Sequence, residues 1–164
     1  TLSQAAQLVG ARGTDVIEKL NQLLERQKKL ERELEAFKAK ASSNFSQDLA
    51  AQAEQVSGIA LIKARLEGLD GKALRDLLDN LKLRVPDSVI VLASAQNGKA
   101  SLVAAVQGAA QAKLKASDVL SHVAGQIGGK GGGRADFAQG GGDDGPALTK
   151  ALAGLNVWLT GKLG

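Results

Sequence analysis

Lys130 and Arg134 stand in the run GGKGGGRADFAQGGG, and nine of the 18 residues from 128 to 145 are glycine. Glycine lets the backbone take positive φ and removes the Cβ that would hold a ligand away from peptide N–H groups. Successive N–H groups in such a segment can form a nest for an anion. Lysine adds a compact point charge, and arginine a planar fork matched to phosphate oxygens. A flexible linker would be diluted with serine and would not hold Lys, Arg, Asp136, Phe137 and Gln139 between its glycine clusters. The predicted chemistry is therefore phosphate contact by a loop of Gly129, Lys130, Gly131, Gly132, Gly133 and Arg134. Lys113 and Lys115 bring the local positive charges to four, against Asp118 and Asp136.

Other chemistry is excluded by what the sequence lacks. There is no G-x-x-x-x-G-K-[ST] and no G-x-G-x-x-G, so nucleotide hydrolysis on a P-loop and dinucleotide binding have no support. The chain has no cysteine and one histidine, which removes disulfides, thiolate–zinc sites and two-histidine metal sites. Ser121, His122 and Asp118 fall on one predicted helix, where the neighbours Ser121 and His122 point in the wrong directions for a triad; His122 reads as a flanking surface residue. Asp143 and Asp144 read as caps of the last helix. No catalytic residue and no metal site is expected. With three Phe, one Trp and no Tyr, the chain can hardly build a base-stacking platform. A nucleic-acid partner would be held through phosphate, ribose and shape, as folded RNA allows.

These residues need elements to position them. Hydrophobic residues make up 44% of the 164, enough for a packed core. A net charge of +4 with pI ≈ 9.4 leans mildly toward anionic partners. No stretch of 18 apolar residues is present, so no membrane partner is expected, and the absence of cysteine fits a cytoplasmic location. There is no methionine, which suggests that the chain is a piece of a longer protein.

From Gly13 to Ser42, Val16, Leu20, Leu23, Gln27, Leu30, Leu34, Phe37 and Ala41 recur at steps of four and three. This predicts a coiled-coil seam, with Leu20, Leu23, Leu30, Leu34 and Phe37 as its apolar contacts and Thr14 or Asp15 as the cap. SSNFSQD reads as a break. VSGIALIKARLEG then reads as a strand, and DGKALRDLLDNLKLRV as a helix burying Leu74, Leu77, Leu78 and Leu81. Asn97-Gly98 between two apolar runs is a hairpin signal. LKASDVLSHVAGQIGG reads as a helix stopped at Gly128, and a last helix begins near Pro146 and uses Leu148, Leu152, Leu155 and Leu159. The fold class expected is α/β (α+β): a central sheet with helices packed on it and a glycine-rich loop, preceded by a long coiled-coil-like helix. The expected domains are a helical linker over 1–45 and a globular domain over 46–164.

With these residues in place, GGKGGGRADFAQGGG resembles the hallmark of the C-terminal domain of bacterial alanyl-tRNA synthetases, C-Ala, in the DHH-associated domain family. The resemblance extends to the preceding helix, to VIVLASAQNGKASLVAAV and to WLTGKL. Ala135 and Phe137 depart from the family's usual Pro and Met. The resemblance implies a non-catalytic domain that binds the outer corner of alanine tRNA and contributes to dimerisation. Aminoacylation with ATP and zinc-dependent editing would lie in missing domains of the parent enzyme, with no cofactor here. It implies that Lys130 and Arg134 neutralise phosphates, that the glycines permit close approach, and that Asp136 and Gln139 order the loop or reach a ribose hydroxyl. Two other readings stay open: the substrate-binding part of a DHH-type phosphodiesterase, and a purely structural dimerisation module. A second basic face along Lys63, Arg65, Lys82 and Arg84 also stays open.

Overall fold

The computed structural model describes residues 15–164. Gly13, Thr14 and the first part of the expected 1–45 linker lie outside the described residues, as does the side chain of Ala41. The chain divides into two compact units, Thr1–Ala41 and Ser42–Gly164. Within the first, the helix α1 (Val16–Ala51) begins. Leu20, Leu23, Leu30, Leu34 and Phe37 are between 42% and 73% exposed on it.

The expected break at SSNFSQD does not occur, because α1 runs through it to Ala51. Serine and asparagine favour breaks because their side chains compete for backbone hydrogen bonds. Here tertiary contacts decide. Ser46 is fully buried and donates its hydroxyl to Ser43 O at 2.8 Å. Arg84 Nε donates to Ser46 Oγ at 3.1 Å and its Nη2 to Ser43 Oγ at 3.2 Å. Leu49 enters the core.

The second unit is built on a six-stranded sheet: β1 (Glu54–Val56), β2 (Ile59–Glu67), β3 (Ser88–Gln96), β4 (Lys99–Val106), β5 (Lys130–Gly133) and β6 (Phe137–Asp143), in the order β1-β2-β3-β4-β6-β5. Only β2 and β3 are parallel. Their crossover is α2 (Gly71–Arg84), capped by Asp70 accepting from Ala73 N at 2.8 Å. Leu74, Leu77, Leu78 and Leu81 are at most 2% exposed; each such burial contributes roughly 1.5–3 kcal/mol. The expected single strand over VSGIALIKARLEG is instead a hairpin, turned at Ser57 (φ 50) and Gly58 (φ 82). The Asn97-Gly98 hairpin forms as read, with Gln96 opposite Lys99 and φ of 53 and 76 at its tip.

Helices α3 (Ala116–Gln126) and α4 (Pro146–Leu163) cover one face of the sheet and α2 with the end of α1 the other. The leucines expected on the last helix, Leu148, Leu152, Leu155 and Leu159, are all buried. A short 3₁₀ segment, Gly108–Ala112, leads into α3.

Candidate nucleic-acid interface

The glycine-rich segment is not a loop. Lys130–Gly133 and Phe137–Asp143 pair as an antiparallel hairpin, with Lys130 opposite Gly141 and Gly132 opposite Gln139, and β6 pairs on to β4. Of the glycines from 128 to 145 only Gly128 takes positive φ, at 64, where it ends α3 as expected: Gly129 N returns to Ala124 O at 2.9 Å. The predicted nest is therefore overturned, because extended backbone directs alternate N–H groups to opposite sides.

The glycines instead permit close packing. A Cβ on Gly131 would strike the Leu120 side chain of α3 and the backbone of Gly140, and one on Gly142 would strike Ile127. Gly129 and Gly133 would meet backbone of β6. Gly132 alone among 129–133 faces open space. Helix α3 is tied to the hairpin by Ala116 N donating to Ala135 O at 2.8 Å and Asp143 N to Ile127 O at 3.0 Å.

β5 is the outermost strand, and all four of its residues are exposed. For glycine, exposure is exposure of backbone. Arg134 N donates to Phe137 O at 2.7 Å, so by alternation Lys130 and Gly132 also turn their N–H groups toward β6. Gly131 and Gly133 then turn theirs off the open edge of the sheet, about 6.6 Å apart. Backbone donors do face outward, in a row along an edge.

The predicted charges divide. Lys130 sits at one end of this edge, exposed and with no ion pair to a described residue. Arg134, its side chain 81% exposed, stands at the other end, with Nε 3.7 Å from Asp136. The Ala116–Ala135 hydrogen bond brings exposed Lys115 to the same end. Lys113 does not join them: its Nζ donates to Leu163 O at 2.7 Å, at the end of α4. Gln139 is exposed on the side of the sheet that carries α2, in line with Phe137.

Several other residues have structural work. Asp143 pairs with Lys99 at 2.6 Å and Asp144 with Arg65 at 3.0 Å, while Gly145 is the N-cap of α4 without a side-chain bond; the acidic pair does not cap that helix. Arg65 also meets Glu67, and Lys63 is held by Glu54 and Asn156. Arg84 is engaged with Ser43 and Ser46, so the second basic face is largely committed internally. Asn156, donating to Glu54, holds that carboxyl below its ordinary range, and Lys63 adds to the effect. His122 is not a plain surface residue: its ring stacks on Trp158 with centroids 4.5 Å apart, and partial burial lowers its pKa. The sequence did not single out Arg75, whose guanidinium lies 4.9 Å above the Phe137 ring. Only the strand register, unknown before β6 was placed, connects those two.

Among the described residues no cluster of His, Cys, Asp or Glu is arranged to hold a metal, and no helix is long and apolar enough to cross a membrane. Comparison with known proteins gives a consistent family. The DHHA1 domain matches residues 58–161. The chain is 57% identical over 162 residues to the alanine–tRNA ligase of Stenotrophomonas maltophilia (strain K279a), covering 99% of this chain and 18% of that protein. It is 55% identical over 163 residues to the corresponding ligase of Xanthomonas axonopodis pv. citri (strain 306), again covering 18% of it. The chain thus spans about a fifth of the length of these relatives. The crystal structure of the C-Ala domain from Aquifex aeolicus alanyl-tRNA synthetase superimposes with a TM-score of 0.61 and 32% identity, over 66% of this chain and 97% of that one.

Proposed function

The chain belongs to the DHHA1 domain family, with the C-Ala domains of alanyl-tRNA synthetases, and on that premise we propose that it is a non-catalytic module that binds tRNA through the open edge of β5. The observation that carries the reading is the edge itself. Lys130 at one end, Arg134 and Lys115 at the other, and two outward N–H groups between them make a line of donors for successive phosphates. Arginine and lysine supply the charge, and glycine lets the RNA backbone reach the peptide. Among the described residues no free aromatic ring lies on this edge, which favours contact to backbone and shape; together with the family membership this supports a seat on the outer corner of folded alanine tRNA. Aminoacylation and editing then belong to the rest of a ligase that this module keeps on its tRNA.

A second role is supported by a different observation, the exposed leucine row on α1: we propose that this row joins two copies of the chain as a homodimer.

The test is a fluorescence titration with intact alanine tRNA and with an acceptor-stem minihelix, repeated across salt concentrations. Tight binding to the tRNA and weak binding to the minihelix is expected. With about three phosphates neutralised, log Kd should change with log salt at a slope of about 3 in magnitude. Lys130→Ala with Arg134→Ala should reduce that slope by about 2 and weaken all tRNAs alike. Equal binding of tRNA by parent and double variant would refute the reading.

A further inference from the structure

We propose that the α2 side of β6, between Arg75 and Lys130, reads ribose 2′-hydroxyls and so makes the interface specific for RNA over DNA. This rests on the tRNA reading of the neighbouring edge and goes beyond it in assigning a second face of the sheet, with Arg75 and Ser101 beside Gln139, to reading the sugar.

The register sets the layout. On this face β6 carries Phe137, Gln139 and Gly141 in line; Gly141 is flanked by Ser101 of β4 and Lys130 of β5. Phe137 is partly buried against the core under α2, and Arg75 lies over its ring. That cation–π contact holds a long, otherwise mobile side chain above the strand. Among the described residues Arg75 has no ion pair, so its five N–H donors are available. From the Phe137 row to the Lys130 row is four residues along β6, about 13 Å. Gln139 stands between the two rows, and Ser101 lies across Gly141 from Lys130 in the same row; both are exposed and neither is hydrogen-bonded through its side chain to a described residue.

The face thus carries a cation, then a carboxamide, then a hydroxyl and a second cation side by side in one row. Two cations suit phosphates of one strand. A carboxamide and a hydroxyl each donate and accept, as a 2′-hydroxyl does. Base stacking is not the recognition mode, since the solvent side of Phe137 is occupied by Arg75. The one carboxylate in the line, Asp143, is neutralised by Lys99 at 2.6 Å. A DNA strand could meet the two cations, but of the two nucleic acids only RNA also offers 2′-hydroxyls to the two neutral groups.

The experiment compares the 164-residue chain with two variants, Gln139→Ala/Ser101→Ala and Arg75→Ala, titrated with alanine tRNA and with a DNA copy of the same sequence. The parent should favour RNA. The double variant should lose about five- to tenfold in affinity for tRNA, with DNA binding and the salt slope unchanged, because neutral hydrogen bonds release no counterions. Arg75→Ala should lower the slope by about one. All three substituted residues are exposed, and matched thermal melts confirm folding. If the parent binds RNA and DNA equally, or the double variant loses both alike or neither, the ribose inference falls while an effect of Lys130→Ala/Arg134→Ala leaves the edge reading standing. If the parent does not bind tRNA at all, both fall.

Discussion

Gly131 and Gly132 are adjacent and lack side chains for opposite reasons. Gly131 lies under Leu120, so Gly131→Ala must push α3 and the strand apart; overpacking of this kind costs about 1–3 kcal/mol. Gly132 faces open space in an extended strand, so Gly132→Ala should leave stability within about 0.5 kcal/mol. Urea unfolding followed by Trp158 fluorescence distinguishes the two, and equal losses would refute the packing account. Trp158 also reports on His122, whose pKa partial burial lowers. The unfolded chain then binds the extra proton first, so stability is fully present above the ordinary histidine value near 6.5 and falls as pH drops through the folded value. A melt at about pH 7.5 and again at about 5.5 should show a loss that His122→Gln reduces. At this scale the sequence was partly legible. That Lys130 and Arg134 lie exposed among glycines could be read directly. Whether a glycine serves positive φ or a close helix could not, because the answer depends on Leu120 and Ile127, and nothing local in the sequence says that α3 folds back onto the strand.

At the level of elements, hydrophobic period and turn chemistry identified α2, α3, α4 and the Asn97-Gly98 hairpin, since each is specified by its own residues. The other elements depend on distant residues. KGGG has poor strand propensity, and it becomes β5 because β6 pairs with it and α3 packs on it. Ser57-Gly58 carries a turn signal, masked by the apolar run around it. The end of α1 is the clearest case. Ser43 and Ser46 favour a break locally, and Arg84, which lies 38 residues beyond Ser46, removes that preference by taking their oxygens as acceptors. Arg84→Ala should therefore cost about 1–3 kcal/mol and speed amide exchange over residues 43–51, leaving the Asn97 hairpin protected. Unchanged exchange in 43–51 would mean that Leu49 packing alone holds the helix there.

On the scale of the whole molecule, the two proposed roles fall in different parts of the sequence, and this makes them separable. The donors for RNA are in Ser42–Gly164, whereas the apolar row is on the part of α1 before it. A 36-residue helix is about 54 Å long. Leu20, Leu23, Leu30, Leu34 and Phe37 leave a row along it that water does not favour, and the steps of three and four match a left-handed two-helix seam. Gln27 interrupts the row and is bonded to Glu31 of its own helix at 2.9 Å, so it weakens the seam without closing it. Sedimentation equilibrium should give a mass that rises toward two chains with concentration. Leu30→Lys with Leu34→Lys places like charges in the seam and should hold the protein as a monomer, with a melt of the sheet unit unchanged because neither residue is in its core. The same variant should bind one tRNA with a Kd within about twofold of the parent, since each copy keeps its own edge and loses only avidity. A parent that stays monomeric refutes the seam. A monomeric variant that no longer binds tRNA would instead mean that the RNA surface is completed by the second copy.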